Sequence, residues 1–404
     1  MSTILEILNK KQKEWKCDNL ILKKTNKLGP KIPLSSPLMN YATYGGLPRG
    51  RVIEFYGEPG SGKSSTAVDT CKTAYQTFER EHNERMSALR EKMSKGDKAA
   101  GVQLEELEEL GPKEVLYFDV EHAFDPAWAA KLGVDIDEVK VIQPPNVSAE
   151  ELLQMILDII QEGNAGLVVI DSVPSLVPKA VIDKKIGEKT VAALAGLMTT
   201  FLYKVIPLLT RYDCTLLFIN QIRPNMDNPW EPNTPGGEAI KFYASLRIFF
   251  RLGTPVDFLG NELPQKTENP AGYIVSAKIT KQKTAPWDRK VGSYYLMTQS
   301  GIRPDMDFCQ LAVKKYEIIK KSGAWFTLSN PTTGEILLDD SGKALKLNGF
   351  AKVIEYVREN PGYFEDLKTY IMNDIEGNGP DQLGQTQEVI SELVDYTEQE
   401  AVQL

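Results

Sequence analysis

The sequence predicts an α/β protein: a mostly parallel, twisted sheet flanked by helices, with an N-terminal arm before it and a small α/β region near the C-terminus. Three observations carry this. Between about residues 50 and 252, short and almost wholly apolar runs alternate with longer segments of helical spacing, as buried parallel strands joined by helices require. A glycine-rich stretch ending in Lys63-Ser64 falls directly between one such run and one such helix. The composition, 42% apolar and 25% charged over 404 residues, suffices for at least one full core and two or three modules.

In chain order, residues 1–33 read as an arm: 4–15 has amphipathic helical spacing, and Leu20-Ile21-Leu22 reads as a short strand that could add to a neighbour's sheet edge. Residues 34–300 read as the core. Its strands are 51–56, 115–120, 167–171, 215–220 and 245–251, each rich in β-branched or aromatic residues. Its helices are 63–77, 149–162 and 191–209; in the second, Leu152, Leu153, Ile156, Ile159 and Ile160 form one apolar stripe. Residues 79–113 stand apart, dominated by Glu, Lys and Arg with Ala, Leu and Met and broken at Lys95-Gly96-Asp97. They read as a charged helical hairpin inserted between two core strands, either a solvated protrusion or a partner- or DNA-facing arm. Further β runs at 273–280 and 293–297 complete the core. Residues 301–370, with Tyr316, Trp325, Phe326, Phe350 and Tyr356, read as a small C-terminal domain, and 371–404 as an acidic tail.

The longest apolar runs, such as 166–170 and 246–250, fall far short of the roughly 20 residues a bilayer crossing needs, and the N-terminus lacks a leader pattern. Membrane and secreted classes are therefore not expected. Cys17, Cys71, Cys214 and Cys309 form no CxxC pair and His82 and His122 are the two histidines, which excludes zinc fingers and disulfide scaffolds and points to a reducing, cytoplasmic setting. The net charge of −8 resides wholly in the tail: beyond Lys368 there are eight acids and no Lys or Arg, so the rest of the chain is balanced. Seven lysines between Lys10 and Lys27 face only Glu14 and Asp18, leaving a basic arm on an acidic protein.

The sharpest chemical signal is Gly57, Glu58, Pro59, Gly60, Ser61, Gly62, Lys63, Ser64, a complete G-x-x-x-x-G-K-[ST] between strand and helix, with Ser65 next. Such a loop turns backbone N–H groups toward phosphates, its lysine reaches the β and γ phosphates, and its serine offers a hydroxyl to Mg²⁺. ATP with Mg²⁺ is the expected cofactor. Asp171, at the end of the apolar run Leu167-Val-Val-Ile, is the expected second metal anchor beside Ser64. Water activation needs a further carboxylate on an adjacent strand; Glu121 is best placed and Asp119 competes with it.

Taken together these segments resemble the bacterial RecA strand-exchange recombinase family, from about residue 34 to 370. Gly45-Gly-Leu-Pro-Arg-Gly-Arg51 is similar to the family's lead-in to the P-loop strand, and Val120-Glu121-His122-Ala123-Phe-Asp125-Pro126 to the segment supplying the catalytic glutamate. Asp171-Ser172-Val-Pro-Ser-Leu-Val-Pro178-Lys179-Ala180 resembles the Walker B exit. Phe218-Ile-Asn220-Gln221-Ile-Arg223 and Gly236-Gly237 through Ser245 resemble the two ends of the second DNA-binding loop. Lys281-Gln-Lys283-Thr-Ala-Pro286 resembles the segment whose lysines reach a neighbouring subunit's nucleotide, and Gly323-Ala-Trp325-Phe326 the entry to the C-terminal domain.

The resemblance implies an ATP-dependent recombinase that forms helical filaments on single-stranded DNA and exchanges strands with double-stranded DNA, with single-strand-binding and loading proteins as further partners and no membrane. It implies that Gln221 senses the γ-phosphate and couples it to the loop 222–235; Gln221 also closes a buried strand, where ligands of open parallel sheets sit. Arg223, Trp230, Gly236 and Gly237 would serve DNA there, Trp230 being either a packing plug or a stacking surface. Lys184, Lys185 and Lys189 would contact phosphates in a first loop, and Lys281 and Lys283 would act in trans. Asp125 and Trp128 fall where the family's adenine contacts lie, although Trp128 also suits ordinary core. The insertion and a shorter second loop mark a divergent branch, a phage-encoded recombinase being one candidate. A ring-shaped P-loop helicase and an ATP-switched DNA scaffold are the alternative functions: the paired lysines favour the recombinase over the first, and Glu121 favours turnover over the second.

Overall fold

The computed structural model describes residues 4–14, 29–185, 193–223 and 233–375. The expected strand at 20–22, Lys189, Trp230 and residues 376–404 of the tail lie outside the described residues. The chain divides into two units, residues 1–30 and 31–404. The first contains α1 (Ile4–Glu14), in which Lys11 pairs with Glu14 one turn on.

The second unit opens with β1 (Lys31–Ile32) paired antiparallel to β2 (Leu47–Pro48) around α2 (Pro37–Thr43), whose first turn is capped by the Ser36 side chain. Then come β3 (Val52–Gly57), α3 (Lys63–Ser94), α4 (Lys98–Leu110), β4 (Glu114–Asp119), α5 (Pro126–Lys131), β5 (Val139–Ile142), α6 (Ala149–Glu162), β6 (Ala165–Asp171), α7 (Lys179–Ile182) and α8 (Ala193–Tyr212). They are followed by β7 (Thr215–Gln221), α9 (Glu238–Tyr243), β8 (Leu246–Val256), β9 (Gly272–Gln282), β10 (Val291–Met297) and β11 (Gly301–Ile302).

Nine of these strands form one sheet in the order β11-β10-β9-β8-β3-β7-β6-β4-β5. The six from β8 to β5 run parallel, while β9, β10 and β11 continue the sheet antiparallel. The central strands β3, β6 and β7 are buried on both faces because alternate residues feed two cores. Ile53, Phe55, Val115 and Tyr117 pack with α3 on one side, while Val52, Leu116 and Phe118 pack with α6 and α8 on the other. Helix α6 matches its apolar stripe and starts with a full capping box between Ser148 and Glu151. By length and composition alone α8, 20 residues and mostly apolar, could cross a bilayer; here it buries Met198, Phe201, Leu202, Val205 and Leu209 in the second core.

Between α3 and α4 the helix breaks at Lys95-Gly96-Asp97, Asp97 capping α4. One feature differs from the sequence reading: the helix 63–77 and the first arm of the insertion are a single element. No Gly or Pro interrupts Lys63–Ser94, so nothing ends the helix between the P-loop and the hairpin tip. Its base is clamped by Arg49, which pairs with Glu81 at 2.7 Å and with Asp213 and lies over the Phe78 ring. Beyond the clamp, Met86, Leu104 and Leu107 form a small core of their own.

The last segment holds α10 (Pro304–Lys314), a three-stranded antiparallel sheet of β12 (Ile319–Ser322), β13 (Trp325–Leu328) and β14 (Lys346–Asn348), then α11 (Phe350–Glu359) and α12 (Pro361–Ile375). Its apolar residues share a core with Val256, Tyr295 and Met297 of the large sheet.

Candidate functional site

The carboxyl ends of four adjacent strands meet at one edge: Gly57 of β3 stands level with Gln221 of β7, and Asp171 of β6 with Asp119 of β4. The P-loop fills the turn from β3 into α3. Gly57 must be glycine because a Cβ there would lie 2.2 Å from the Phe250 carbonyl oxygen of β8. Gly62 has φ +90°, which frees the N–H groups of the first turn of α3 to point into the loop. Lys63 is buried and its Nζ donates to the Glu58 carbonyl at 2.5 Å. Burial lowers its pKa, opposed by Asp171, Glu121 and Glu58.

Asp171 is buried and accepts a hydrogen bond from the Tyr117 hydroxyl at 2.5 Å. Burial raises its pKa, while bonds from Tyr117 and Ser64 hold it down. A serine hydroxyl and one carboxylate, both hard oxygen donors, fit Mg²⁺, which takes few protein ligands and completes its shell with water and phosphate.

Glu121 is exposed just beyond β4. Its Oε1 accepts from Gln221 Nε2 at 3.2 Å and from the Ser172 hydroxyl, with Ser175 Oγ at 3.5 Å. Asp119 is differently engaged: it accepts from the backbone N–H groups of Ala123 and Phe124 and from Gln143 Nε2, all at 2.9–3.0 Å, so it fixes the turn that carries Glu121.

Beside the P-loop lies a cavity of about 260 Å³ lined by Gly60 through Ser65, Trp128, Leu252, Tyr273, Leu296, Met297 and Thr298. Trp128 both lines this cavity and packs against the core, its indole N–H donating to Ser65 Oγ at 3.0 Å. Asp125 Oδ1 caps α5 and is not in the lining. The wall from β8, β9 and β10 escaped sequence reasoning, because it is the pairing of β8 beside β3 and the antiparallel addition of β9 and β10 that bring those strands near the P-loop.

The lysine pair lies elsewhere on the same unit. Lys281 Nζ donates to the carbonyls of Lys241 and Phe242, and Lys283 Nζ to that of Phe242 at 3.0 Å. Gly236 and Gly237 form the positive-φ turn that leads into α9. Lys184, Lys185 and Arg223 are exposed, and the Arg223 and Asn233 backbones pair antiparallel, so the two described ends of the second loop meet.

The RecA N-terminal domain family matches residues 96–303. Proteins named Protein RecA are similar over most of the chain: that of Porphyromonas gingivalis is 33% identical over 335 residues, 82% of this chain and 81% of its own. Those of Thermus aquaticus and Rickettsia canadensis are each 31% identical, covering 81% of this chain and 80% and 79% of theirs. The chain belongs to the RecA family. It is thus a DNA recombinase of the RecA type, a class whose general activity is filament formation and strand exchange. The P-loop precedes the matched residues 96–303 and the break at Lys95-Gly96-Asp97 stands at their start, so the RecA-type edge is assembled across the inserted hairpin.

Proposed function

We propose that this RecA-family chain hydrolyses ATP at the strand edge and uses the nucleotide to control a filament on single-stranded DNA. The observation that carries the reading is the contact between Gln221 and Glu121, 3.2 Å apart at the ends of two strands flanking Asp171. It couples a polar group at the mouth of the second loop to the only carboxylate at this edge, among the described residues, that is both exposed and held by side-chain donors alone. Bound ATP and Mg²⁺ would supply the phosphoryl group and the neutralisation of its charge. Lys63, now resting on a carbonyl of its own loop, would turn to the phosphates, and Ser64 with Asp171 would hold the metal. Glu121 would orient water and take up its proton, while Gln221 holds the carboxylate in place.

On this reading Lys184, Lys185 and Arg223 contact phosphates of DNA, joined by Lys189, Trp230 and the Gly236-Gly237 turn. Lys281 and Lys283 leave the end of α9 to meet the nucleotide of an adjacent copy. Trp128 offers its ring to the base, with Asp125 placing it through the α5 cap. Residues 1–33 link subunits.

The test is a pair of variants. Lys63→Ala should abolish turnover and weaken nucleotide binding. Glu121→Gln should bind ATP normally and lose turnover by about 10²-fold or more, the scale of a general base. Turnover of Glu121→Gln within threefold of the unmodified chain would sink the assignment.

A further inference from the structure

Beneath the second loop lies a buried polar network that the proposed chemistry does not use. Glu54, in the middle of β3, is fully buried and accepts from Asn220 Nδ2 at 2.9 Å and from Arg247 Nε at 2.5 Å. Asn220 is itself fully buried, and the same Nδ2 donates to the Pro235 carbonyl at 3.0 Å. Its Oδ1 accepts from the Gln221 backbone N–H at 3.0 Å. One carboxamide therefore uses both of its hydrogens and its oxygen on three different segments. These are the strand that feeds the P-loop, the residue that faces Glu121, and the point where the second loop returns to the fold. Arg247 continues the network: its guanidinium lies 4.4 Å from the Tyr56 ring centre, and Tyr56 donates to Thr280, the neighbour of Lys281.

A buried ion pair of this kind adds little net stability, because desolvation offsets most of the attraction. What it adds is direction. The bond lengths leave Pro235 and Gln221 little freedom to move independently of β3, and the Arg223–Asn233 backbone pair closes the neck of the loop on its outer side.

We propose that Asn220 is a positioning residue for the DNA response: it ties Gln221 and the exit of the second loop to the P-loop strand, so that a displacement at either is passed to the other. The inference rests on the reading of Gln221 and the second loop given above.

Two variants test it. Asn220→Asp removes both donations and sets a carboxylate against Glu54, so its melting temperature should fall. Asn220→Asp/Glu54→Gln restores that pair with donor and acceptor exchanged: the carboxamide introduced on β3 donates to the carboxylate introduced on β7 and still accepts from Arg247, but the Pro235 carbonyl stays without its partner. The double variant should recover melting and DNA-independent turnover while DNA stimulation stays down about tenfold, the scale of one lost bond to a buried group. Recovery of stimulation together with melting would reduce the network to a packing device and overturn the proposal. So would full stimulation in Asn220→Asp alone. An unmodified chain without any DNA-stimulated turnover would overturn the underlying reading, and it would do so before any variant was made.

Discussion

Lys281 and Lys283 rest on the last carbonyls of α9, the position where a cation best meets the negative end of a helix. Burial, and then the neighbouring Lys283, lower the Lys281 pKa to about 8. The folded chain thus releases this proton from about pH 8 while the unfolded chain keeps it to about 10.5, so the unfolded chain holds more protons between these values and the stability linked to this group rises as pH climbs through that window. Function has the opposite sign, since a neutral amine cannot meet a phosphate. DNA-stimulated turnover at limiting protein should decline above about pH 8, and Lys281→Arg, which keeps its charge, should shift that decline upward. A profile that Lys281→Arg leaves in place would assign the decline to another group. Residue types and spacing alone bring out the P-loop and Asp171, because each is a pattern in consecutive positions, whereas Gln221 is singled out through the family resemblance and its place at the end of a strand only agrees with it. The distinct engagements of Asp119 and Glu121 are not legible there: they depend on Gln143, Ser172 and Gln221, which only the folded sheet brings close.

Among the elements, the hairpin separates into a part anchored to the fold and a part that holds only itself. Phe78 is buried in the main core beneath Arg49, whereas Leu104 and Leu107 belong to the separate small cluster with Met86. Phe78→Ala should cost about 3–5 kcal/mol of global stability, as for other buried aromatics. Leu104→Ala/Leu107→Ala should instead raise hydrogen exchange within 86–107 and leave ATP turnover unchanged. Loss of turnover in the second variant would mean that the outer hairpin takes part in catalysis. Periodicity gives the central strands and α6 nearly to the residue because their apolar runs are long and their caps are local. It passes over β5, four residues at the sheet edge with one exposed position, where alternation is too short to register. It also divides α3 in two, since composition changes along the helix while backbone propensity does not.

For the whole molecule, the lysine pair and the P-loop of one copy are separate features of the fold, which is what action in trans requires. Lys281→Ala/Lys283→Ala should fold and bind ATP but lose DNA-stimulated turnover. Mixing it with Lys63→Ala protein on single-stranded DNA should restore part of that turnover, because an intact P-loop can then face intact lysines. Mixed filaments as inactive as either parent would contradict the trans arrangement. The strand order was not legible in the sequence, because the crossover that puts β3 between β7 and β8 is set by packing over two cores rather than by any local pattern. The continuity of α3 has a mechanical meaning. Its 32 residues measure about 48 Å end to end, and Arg49 grips the helix at Glu81, about 27 Å from Lys63 and about 20 Å from Ser94. Such a helix is a cantilever: Ala67, Cys71, Ala74 and Phe78 set its phosphate half into the main core, and the length beyond the grip is an overhang whose direction is fixed by that footing.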